Sequence, residues 1–317
     1  MKSTKSNFLL LLFALMITYS CFVYDFFTYK GIGEHKTFGV TYMTMNNPFY
    51  KVIDNQLSKT IEGKGDHLIT YDPCLDIEKQ IEQIDSFIEQ DVDGIFITPV
   101  DSSALEEVLE KAKSKNIPII TIDAPIIHNN LVNTSISSNN YQAGVLCAKH
   151  LMETKDSANI LLLKQTDVKS AKDRIDGFID TIKGNPDYKV LGEAECSGQL
   201  EIAMPITQEL LKEHSDTNTI IALNDPSALG AIAALEIEDF DNVSVYGIDG
   251  TPDTKALIGH SKYMTATVAQ SPNTIGKVAA NCMYSILENN QVQQEIEIPV
   301  FLIDENNIDK YDRRGWE

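Results

Sequence analysis

The sequence predicts an α/β protein with two doubly wound parallel sheets. Short apolar or β-branched runs alternate with helical patterns along most of the chain, as at Ile220–Asn224, Val243–Asp249 and Met264–Gln270. Runs of this length are typical of strands buried on both faces. Each one ends in a side chain that forms hydrogen bonds. Because open α/β sheets bind ligands beyond the carboxyl ends of their strands, these end residues are candidates for function.

The first half of the chain alternates strand and helix patterns. Its predicted strands are Phe38–Met43, His67–Tyr71, Gly94–Thr98, Pro118–Asp123 and Asn133–Ser138. The intervening helices show apolar residues at a spacing of three and four, which is typical of one buried face. We expect Asn133–Ser138 to be an edge strand that leads out of this half.

The pattern then restarts at a helix from about Tyr141 to Met152. The following elements are a strand at Asn159–Lys164, a helix at Ala171–Ile182, a strand at Lys189–Gly192, a helix at Ile202–Leu211 and the three strands named first. Ser271-Pro272 places a proline in the first turn of the last helix. A single final strand is expected at Glu297–Ile303.

Composition narrows the class of partner. The formal net charge is −20, with 43% hydrophobic and 23% charged residues. Binding to phosphate backbones requires clustered Lys and Arg, so this balance argues against nucleic acid and anionic lipid as partners. The five cysteines form no Cys-x-x-Cys pair and no histidine spacing indicates zinc, so we expect no metal or cofactor. A disulfide is left open.

Residues 1–36 are assigned to export or anchoring. Lys2 and Lys5 precede an apolar run, Phe8–Tyr24, with no charge before Asp25. Three outcomes stay open: lipidation at Cys21, cleavage at a small-x-small site, and an uncleaved helix with its lysines in the cytoplasm. We favour an anchored protein over a released one, with its body on the outer face of the cytoplasmic membrane.

Seven short segments occur in an order that matches a known family. They are Asn46–Tyr50, Ile122–Asp123, Asn139–Asn140, Ser170–Phe178, Leu223–Ala231, Gly247–Asp253 and Val268–Pro272. The chain from about Thr37 to Ile303 thereby resembles the bacterial ribose-type sugar-binding proteins. These are extracytoplasmic receptors of import systems, related to the effector domains of lac-repressor-like regulators.

The resemblance implies the type I periplasmic binding protein fold, in which two lobes joined by a three-crossing hinge close on a ligand. The lobes would be residues 37–138 plus 271–299 and residues 139–270 plus 300–317. The ligand-binding residues would be Asn47, Phe49, Tyr50, Asp123, Arg174, Asn224, Asp249 and Gln270, with Arg174 supplied by a helix N-terminus. No catalytic residue is implied.

The chemistry of these residues suits a sugar or polyol. Vicinal hydroxyls need donors and acceptors, which Asp, Asn, Gln and Arg supply in planar pairs. Phe49 and Tyr50 could cover the apolar C–H face. Structural alternatives stay open: Asn and Asp as turn residues, Phe49 as core, and Arg174 in a surface ion pair with Asp173 or Asp176.

Three positions depart from the ribose binders of the family. Ala124 stands where they carry arginine, Met43 replaces a polar side chain, and Cys196–Gly198 replaces an aromatic plate. These changes remove hydrogen bonds and stacking. They favour a bulkier or less polar sugar, or a sugar-derived signal, over ribose.

Two membrane partners are compatible with a monomeric receptor of this kind: an ABC sugar permease or a membrane histidine kinase. The uncleaved helix would favour sensing, and a sensor subunit without a transport role or a receptor for a non-sugar signal are the alternatives. The common hydrolase, metalloprotease, P-loop and dinucleotide-binding motifs are missing from the sequence, so an enzyme is not expected. A lac-repressor-like regulator is excluded by the apolar first thirty residues.

Overall fold

Two six-stranded sheets organise the chain from Thr37 onward, which forms one compact unit. The computed structural model describes residues 16–20 and 35–316. The export segment predicted at 1–36 therefore lies mostly outside the described residues, of which 16–20 are helical. Within the described ranges no helix has both the length and the apolar character needed to cross a bilayer.

The first sheet has the order β11-β5-β4-β3-β1-β2, with every neighbouring pair parallel. Its strands are β1 (Thr37–Thr41), β2 (His67–Tyr71), β3 (Gly94–Ile97), β4 (Ile119–Ile122), β5 (Thr134–Ser138) and β11 (Glu295–Ile298). The helices packed with it are α1 (Pro48–Glu62), α2 (Ile77–Glu89), α3 (Glu106–Ser114) and α9 (Pro272–Leu287). This sheet and its helices form the first lobe.

The second sheet has the order β12-β10-β9-β8-β6-β7, with β12 antiparallel to β10. Its strands are β6 (Ala158–Lys164), β7 (Tyr188–Glu195), β8 (Thr219–Ala222), β9 (Ser244–Asp249), β10 (Met264–Ala269) and β12 (Phe301–Asp304). The helices of this second lobe are α4 (Asn140–Thr154), α5 (Lys169–Ile182), α6 (Leu200–Glu213), α7 (Asp225–Ile237) and α8 (Pro252–Leu257). The predicted fold class, two doubly wound α/β lobes, is confirmed.

The chain passes between the two sheets three times: after β5, after β10 and after β11. The last passage corrects the prediction of one strand over Glu297–Ile303, because β11 and β12 belong to different sheets. Pro299 lies between them and has no N–H to donate to a ladder, so the strand breaks there. The lobe boundaries stay a prediction.

Strand β5 is not an edge strand, which corrects a second expectation. It pairs in parallel with β4 on one side and β11 on the other. The partner β11 lies far along the chain, and the local Thr and Ser pattern of β5 carries no information about a strand so distant. The edges of the first sheet are β11 and β2.

Proline in the first turn begins four of the helices: α1, α7, α8 and α9. Their prolines are Pro48, Pro226, Pro252 and Pro272. Proline suits this position because its fixed φ is helical and its missing N–H would have no intrahelical partner. The residues just before these helices include several of the candidate binding residues.

Helices α4 and α5 approach so closely that only glycine fits at two positions. A Cβ on Gly144 would lie 1.8 Å from the Arg174 carbonyl oxygen, and one on Gly177 would lie 2.1 Å from that of Tyr141. Both obstacles are backbone atoms, which cannot rotate away. The contact therefore fixes where Arg174 lies in the second lobe.

We expect Gly144→Ala to destabilise the protein by about 3 kcal/mol through overpacking, although alanine is the better helix former by about 1 kcal/mol. Urea denaturation followed by circular dichroism measures this change. The matched control is Lys149→Ala on the exposed side of the same helix, for which we expect a change within about 0.5 kcal/mol. Equal stability of the two variants would contradict the close contact.

Candidate functional site

Polar side chains from both sheets meet at the carboxyl ends of the strands. Asp123 follows β4 in the first lobe, while Asp249 ends β9 and Gln270 follows β10 in the second. The exposed fractions of these three residues are 5%, 3% and 2%. Such burial is unusual for acids and amides and requires compensating partners. We call this group the cleft cluster, together with Tyr50 and Arg174.

The first lobe contributes two aromatic residues from the start of α1. The Tyr50 hydroxyl donates a hydrogen bond of 2.9 Å to Asp123 Oδ2. Phe49 packs edge-on against Tyr50, with ring centroids 5.6 Å apart. Both rings are buried and belong to the apolar core of the first lobe. The alternative role of Phe49, core packing, is therefore also observed.

Arg174 joins several parts of the cleft. Its Nε donates to Asn140 Oδ1 at 2.8 Å and its Nη1 donates to the Leu223 carbonyl oxygen at 3.0 Å. Nη1 also lies 3.5 Å from Asp249 Oδ1. The residue is 6% exposed and lies in the second turn of α5, one turn later than the helix N-terminus expected from the sequence.

The alternative of a surface ion pair for Arg174 is therefore wrong. Asp173 and Asp176 pair instead with Lys169 and Lys172 along the exposed face of α5. Residues 173 and 174 lie about 100° apart around the helix axis, so Asp173 can face solvent while Arg174 is buried. The guanidinium of Arg174 therefore contacts the buried site instead of these two carboxylates.

Two acceptor oxygens in the cleft cluster have no hydrogen-bond partner among the described residues. They are Asp123 Oδ1 and Gln270 Oε1. The other oxygen of Asp123 is used by Tyr50, and the amide nitrogen of Gln270 donates to Asp249 Oδ1 at 2.6 Å. Buried acceptors without donors are costly, so these two atoms identify where donors of a bound molecule would lie.

Asn47 and Asn224 cap helices in this structure. Asn47 Oδ1 accepts from the Phe49 backbone N–H at 2.9 Å, and Asn224 Oδ1 accepts from that of Ser227 at 3.0 Å. Asn224 Nδ2 also donates to the Gly198 carbonyl oxygen. The structural alternative for these two asparagines, a local role where the chain turns into a helix, is thus observed. Each amide keeps further hydrogen-bonding capacity, so a direct role in binding stays a prediction.

Sequence reasoning missed Asp225 and the role of Asn140. Asp225 is fully buried, and its two oxygens accept from the Thr251 backbone N–H and the Thr267 hydroxyl, each at 2.7 Å. It thereby supports the loop that carries Asp249. Asp225 could have been noticed as a second polar residue after β8. Asn140 lies in one of the segments that match the family, but its hydrogen bond with Arg174 was not predicted.

Burial dominates the electrostatics of the cleft carboxyls. It raises the pKa of Asp249 to about 7, where the attraction of Arg174 opposes it and the charge of Asp225 adds to it. Burial likewise raises the pKa of Asp123, against Arg174 and the Tyr50 hydrogen bond, and the pKa of Asp225. The guanidinium of Arg174 acts on two of these carboxyl groups, Asp123 and Asp249. The raised pKa of Asp249 therefore favours a proton on this carboxyl group near neutrality.

Both acids at the strand ends have unusual backbone conformations. The φ angle of Asp123 is +70° and that of Asp249 is +146°. Non-glycine residues at positive φ carry strain and are held there by their surroundings, commonly at ligand sites. Both residues lie where the strands of their sheets end at the cleft.

The arrangement suits hydrogen bonding to a neutral polar molecule. Among the described residues, no group of three His, Cys, Asp or Glu side chains could hold a metal ion. The four cysteines in that part of the chain, Cys74, Cys147, Cys196 and Cys282, are free thiols, while Cys21 lies outside it.

The raised pKa of Asp249 predicts a pH-dependent stability of the protein without added sugar. The Asp249 carboxyl has a pKa of about 7 in the folded state and an ordinary pKa of 3.8 in the unfolded state. Between these two pH values the folded state keeps a proton that the unfolded state releases, so the free energy of unfolding falls as the pH rises. Asp249→Asn should reduce this fall by roughly 1.4 kcal/mol or more, the value of one pKa unit. Urea denaturation at pH 5 and pH 8 measures it.

The matched control for this experiment is Asp253→Asn, four residues away and exposed. It should keep the wild-type pH dependence. A slope for Asp249→Asn equal to that of the wild-type protein would show that Asp249 is ionised throughout this range.

Comparisons with known proteins agree with this geometry. The family model described as "Periplasmic binding protein domain" matches residues 38–291. The chain is 30% identical over 275 residues to the ribose import binding protein of Bacillus subtilis, covering 86% of this chain and 88% of that protein. It is 28% identical to a D-apiose import binding protein of Paraburkholderia graminis, covering 71% of this chain and 72% of that one.

Solved structures show the same fold. A solute binding protein of an ABC transporter from Mycobacterium smegmatis, solved with bound glycerol, has a TM-score of 0.84 and 24% identity. The match covers 90% of this chain and 100% of that chain. The family model and the Bacillus relative lead to one conclusion: this chain belongs to the periplasmic binding proteins of the ribose-binding type.

Proposed function

We propose that this protein captures a small sugar or polyol between its two lobes, residues 37–138 plus 271–299 and residues 139–270 plus 300–317. The observation that supports the proposal is the cleft cluster, in which buried polar groups from both sheets face each other. Two of its acceptor oxygens, on Asp123 and Gln270, have no donor among the described residues. A polyhydroxylated guest supplies donors at such positions.

The individual roles follow from the functional groups. Asp123 Oδ1 and Gln270 Oε1 would accept from hydroxyls, and Arg174 would donate to hydroxyl or ring oxygens. Asp249 would accept a hydroxyl hydrogen bond when ionised, so sugar binding would favour its charged form. Phe49 and Tyr50 would lie against the C–H face, and Asn47 and Asn224 would add contacts at the rim of the cleft.

Entry of the sugar requires the lobes to separate. The residues of the cleft cluster are between 2% and 6% exposed, so a sugar could not reach them while the lobes kept this arrangement. A ligand that contacts both lobes stabilises the closed state by its differential affinity for it. A partner that recognises the closed surface is then coupled to the sugar.

Three positions in the sequence narrow the choice of sugar. The named relatives take up ribose and D-apiose. In this chain the side chain of Ala124 cannot donate a hydrogen bond, Met43 is apolar, and Gly198 offers no ring for stacking. We therefore propose a sugar bulkier or less polar than ribose, or a sugar-derived signal.

Import is the process that the relatives support. Their names describe import binding proteins, so an ABC sugar permease is the partner that we propose first. A membrane histidine kinase is the second candidate, favoured by an N-terminal segment that could stay uncleaved. In both cases the segment 1–36 would hold the protein at the outer face of the cytoplasmic membrane.

Isothermal titration of the chain from His35 onward tests sugar binding. We expect at least one of D-ribose, D-allose, D-galactose, L-arabinose and myo-inositol to bind, with D-ribose weaker than the best. Asp249→Asn should weaken that binding roughly 100-fold, because it leaves Arg174 buried without its charge partner. Asp253→Asn is the control and should bind as the wild type does. Tight D-ribose binding would refute the proposed selectivity, and equal binding by both variants would refute the site.

Pull-down from detergent-solubilised membranes with the full chain tests the partner. We expect ABC permease subunits to be retained more strongly when the sugar found by titration is added. Retention of a histidine kinase instead would assign the protein to sensing. Mass spectrometry of the retained chain reports whether residues 1–36 are intact, cleaved or lipidated at Cys21.

A further inference from the structure

The segment after β12 is a C-terminal tail that belongs to the second lobe along most of its length. Ile308 and Tyr311 pack into the apolar core of that lobe. Arg313 Nη1 donates to the Ile258 carbonyl oxygen, just beyond α8, at 3.4 Å. The tail is therefore attached beside the short helix that follows Asp249.

Lys255 anchors the end of the tail. Its Nζ donates to the Asp312 carbonyl oxygen at 2.6 Å and to the Gly315 carbonyl oxygen at 2.8 Å. The residue is 1% exposed. A buried ammonium is costly unless it is paired, so the two tail carbonyls and the lysine depend on each other. They fix the direction in which the chain leaves Gly315.

Trp316, the next residue, leaves the second lobe and contacts the first. Its ring centroid lies 5.8 Å from that of Phe49, with the ring planes inclined by 56°. It packs against the apolar core of the first lobe and stays partly exposed. The tail thus connects the two lobes through one aromatic contact.

Both ends of this connection lie on segments that build the cleft. Phe49 precedes Tyr50, which holds Asp123. Lys255 lies one helical turn after Thr251, whose backbone N–H holds Asp225. Through Trp316 the second lobe places an aromatic ring next to Phe49, one residue before Tyr50.

We propose that Trp316 is a specificity-determining residue for the sugar. Carried by the second lobe, it completes with Phe49 an apolar wall for the C–H face of the bound molecule and separates from Phe49 when the lobes open. This inference rests on the proposed function. It gives a bulkier, less polar sugar the apolar surface that Gly198 does not provide.

The chain contains a single tryptophan, so its fluorescence reports on Trp316 alone. We expect the sugar found by titration to shift the emission of the wild-type protein and to reduce quenching by acrylamide. The sugar should protect the indole, because closure places it between the lobes. Titration of the emission change should give the same dissociation constant as calorimetry.

Two substitutions test the wall and its anchor. Trp316→Ala should weaken binding about tenfold, while Trp316→Phe should retain most of the affinity. Lys255→Met, which keeps the stem but removes the ammonium, should weaken binding to a similar extent and leave the indole open to acrylamide. Arg314→Ala, at an exposed position of the tail, is the matched control and should change neither quantity.

The double variant Lys255→Met with Trp316→Ala should bind no more weakly than Trp316→Ala alone, because both changes remove the same contact. Thermal melting without sugar controls for folding. A lower melting temperature of Trp316→Ala with unchanged sugar affinity would assign the tryptophan to packing and overturn the inference. If the wild-type protein bound no sugar while Lys255→Met still exposed the indole, the proposed function would fail and the tail anchor would stand.

Discussion

The buried guanidinium of Arg174 is the interaction on which the rest of the cleft depends. It contacts Asn140 at the start of the second lobe, the backbone after β8 and the carboxyl of Asp249. Asp123 on the first lobe also lies within its field. Burying a carboxylate costs several kcal/mol without a partner, so one cation shared by Asp123 and Asp249 makes the site possible and leaves it short of positive charge. Hydroxyl donors relieve that shortage without introducing a new ion.

Much of the fold follows from local pattern. Parallel strands buried on both faces leave a short apolar run in the sequence, and β8, β9 and β10 each show one followed by a polar residue. The carboxyl ends of such strands meet at one edge, which is why Asp249 and Gln270 could be placed together before the structure. The placement of Arg174 beside Asp249 depended on the family resemblance, because helical spacing alone allowed an exposed position for Arg174.

Other features depend on contacts that no local pattern contains. The interior position of β5 is determined by β11, far along the chain, and the break between β11 and β12 required attention to Pro299 inside an otherwise apolar run. The tail after Asp304 has no periodicity of either kind, so its path past Lys255 was not predictable. Asn47 and Asn224 show a different limit, since the residue types that cap helices are also those that bind hydroxyls.

The prolines that begin α1, α7, α8 and α9 have a mechanical consequence. Each fixes one φ angle beside the cleft, in the folded and the unfolded chain alike, so the loops that border the cavity have few other conformations to visit. The remaining flexibility lies in the three segments that connect the two sheets. The lobes would then separate as rigid bodies, and the loops at the binding site would keep their conformation without a ligand. Little conformational entropy would be lost on binding, which favours affinity.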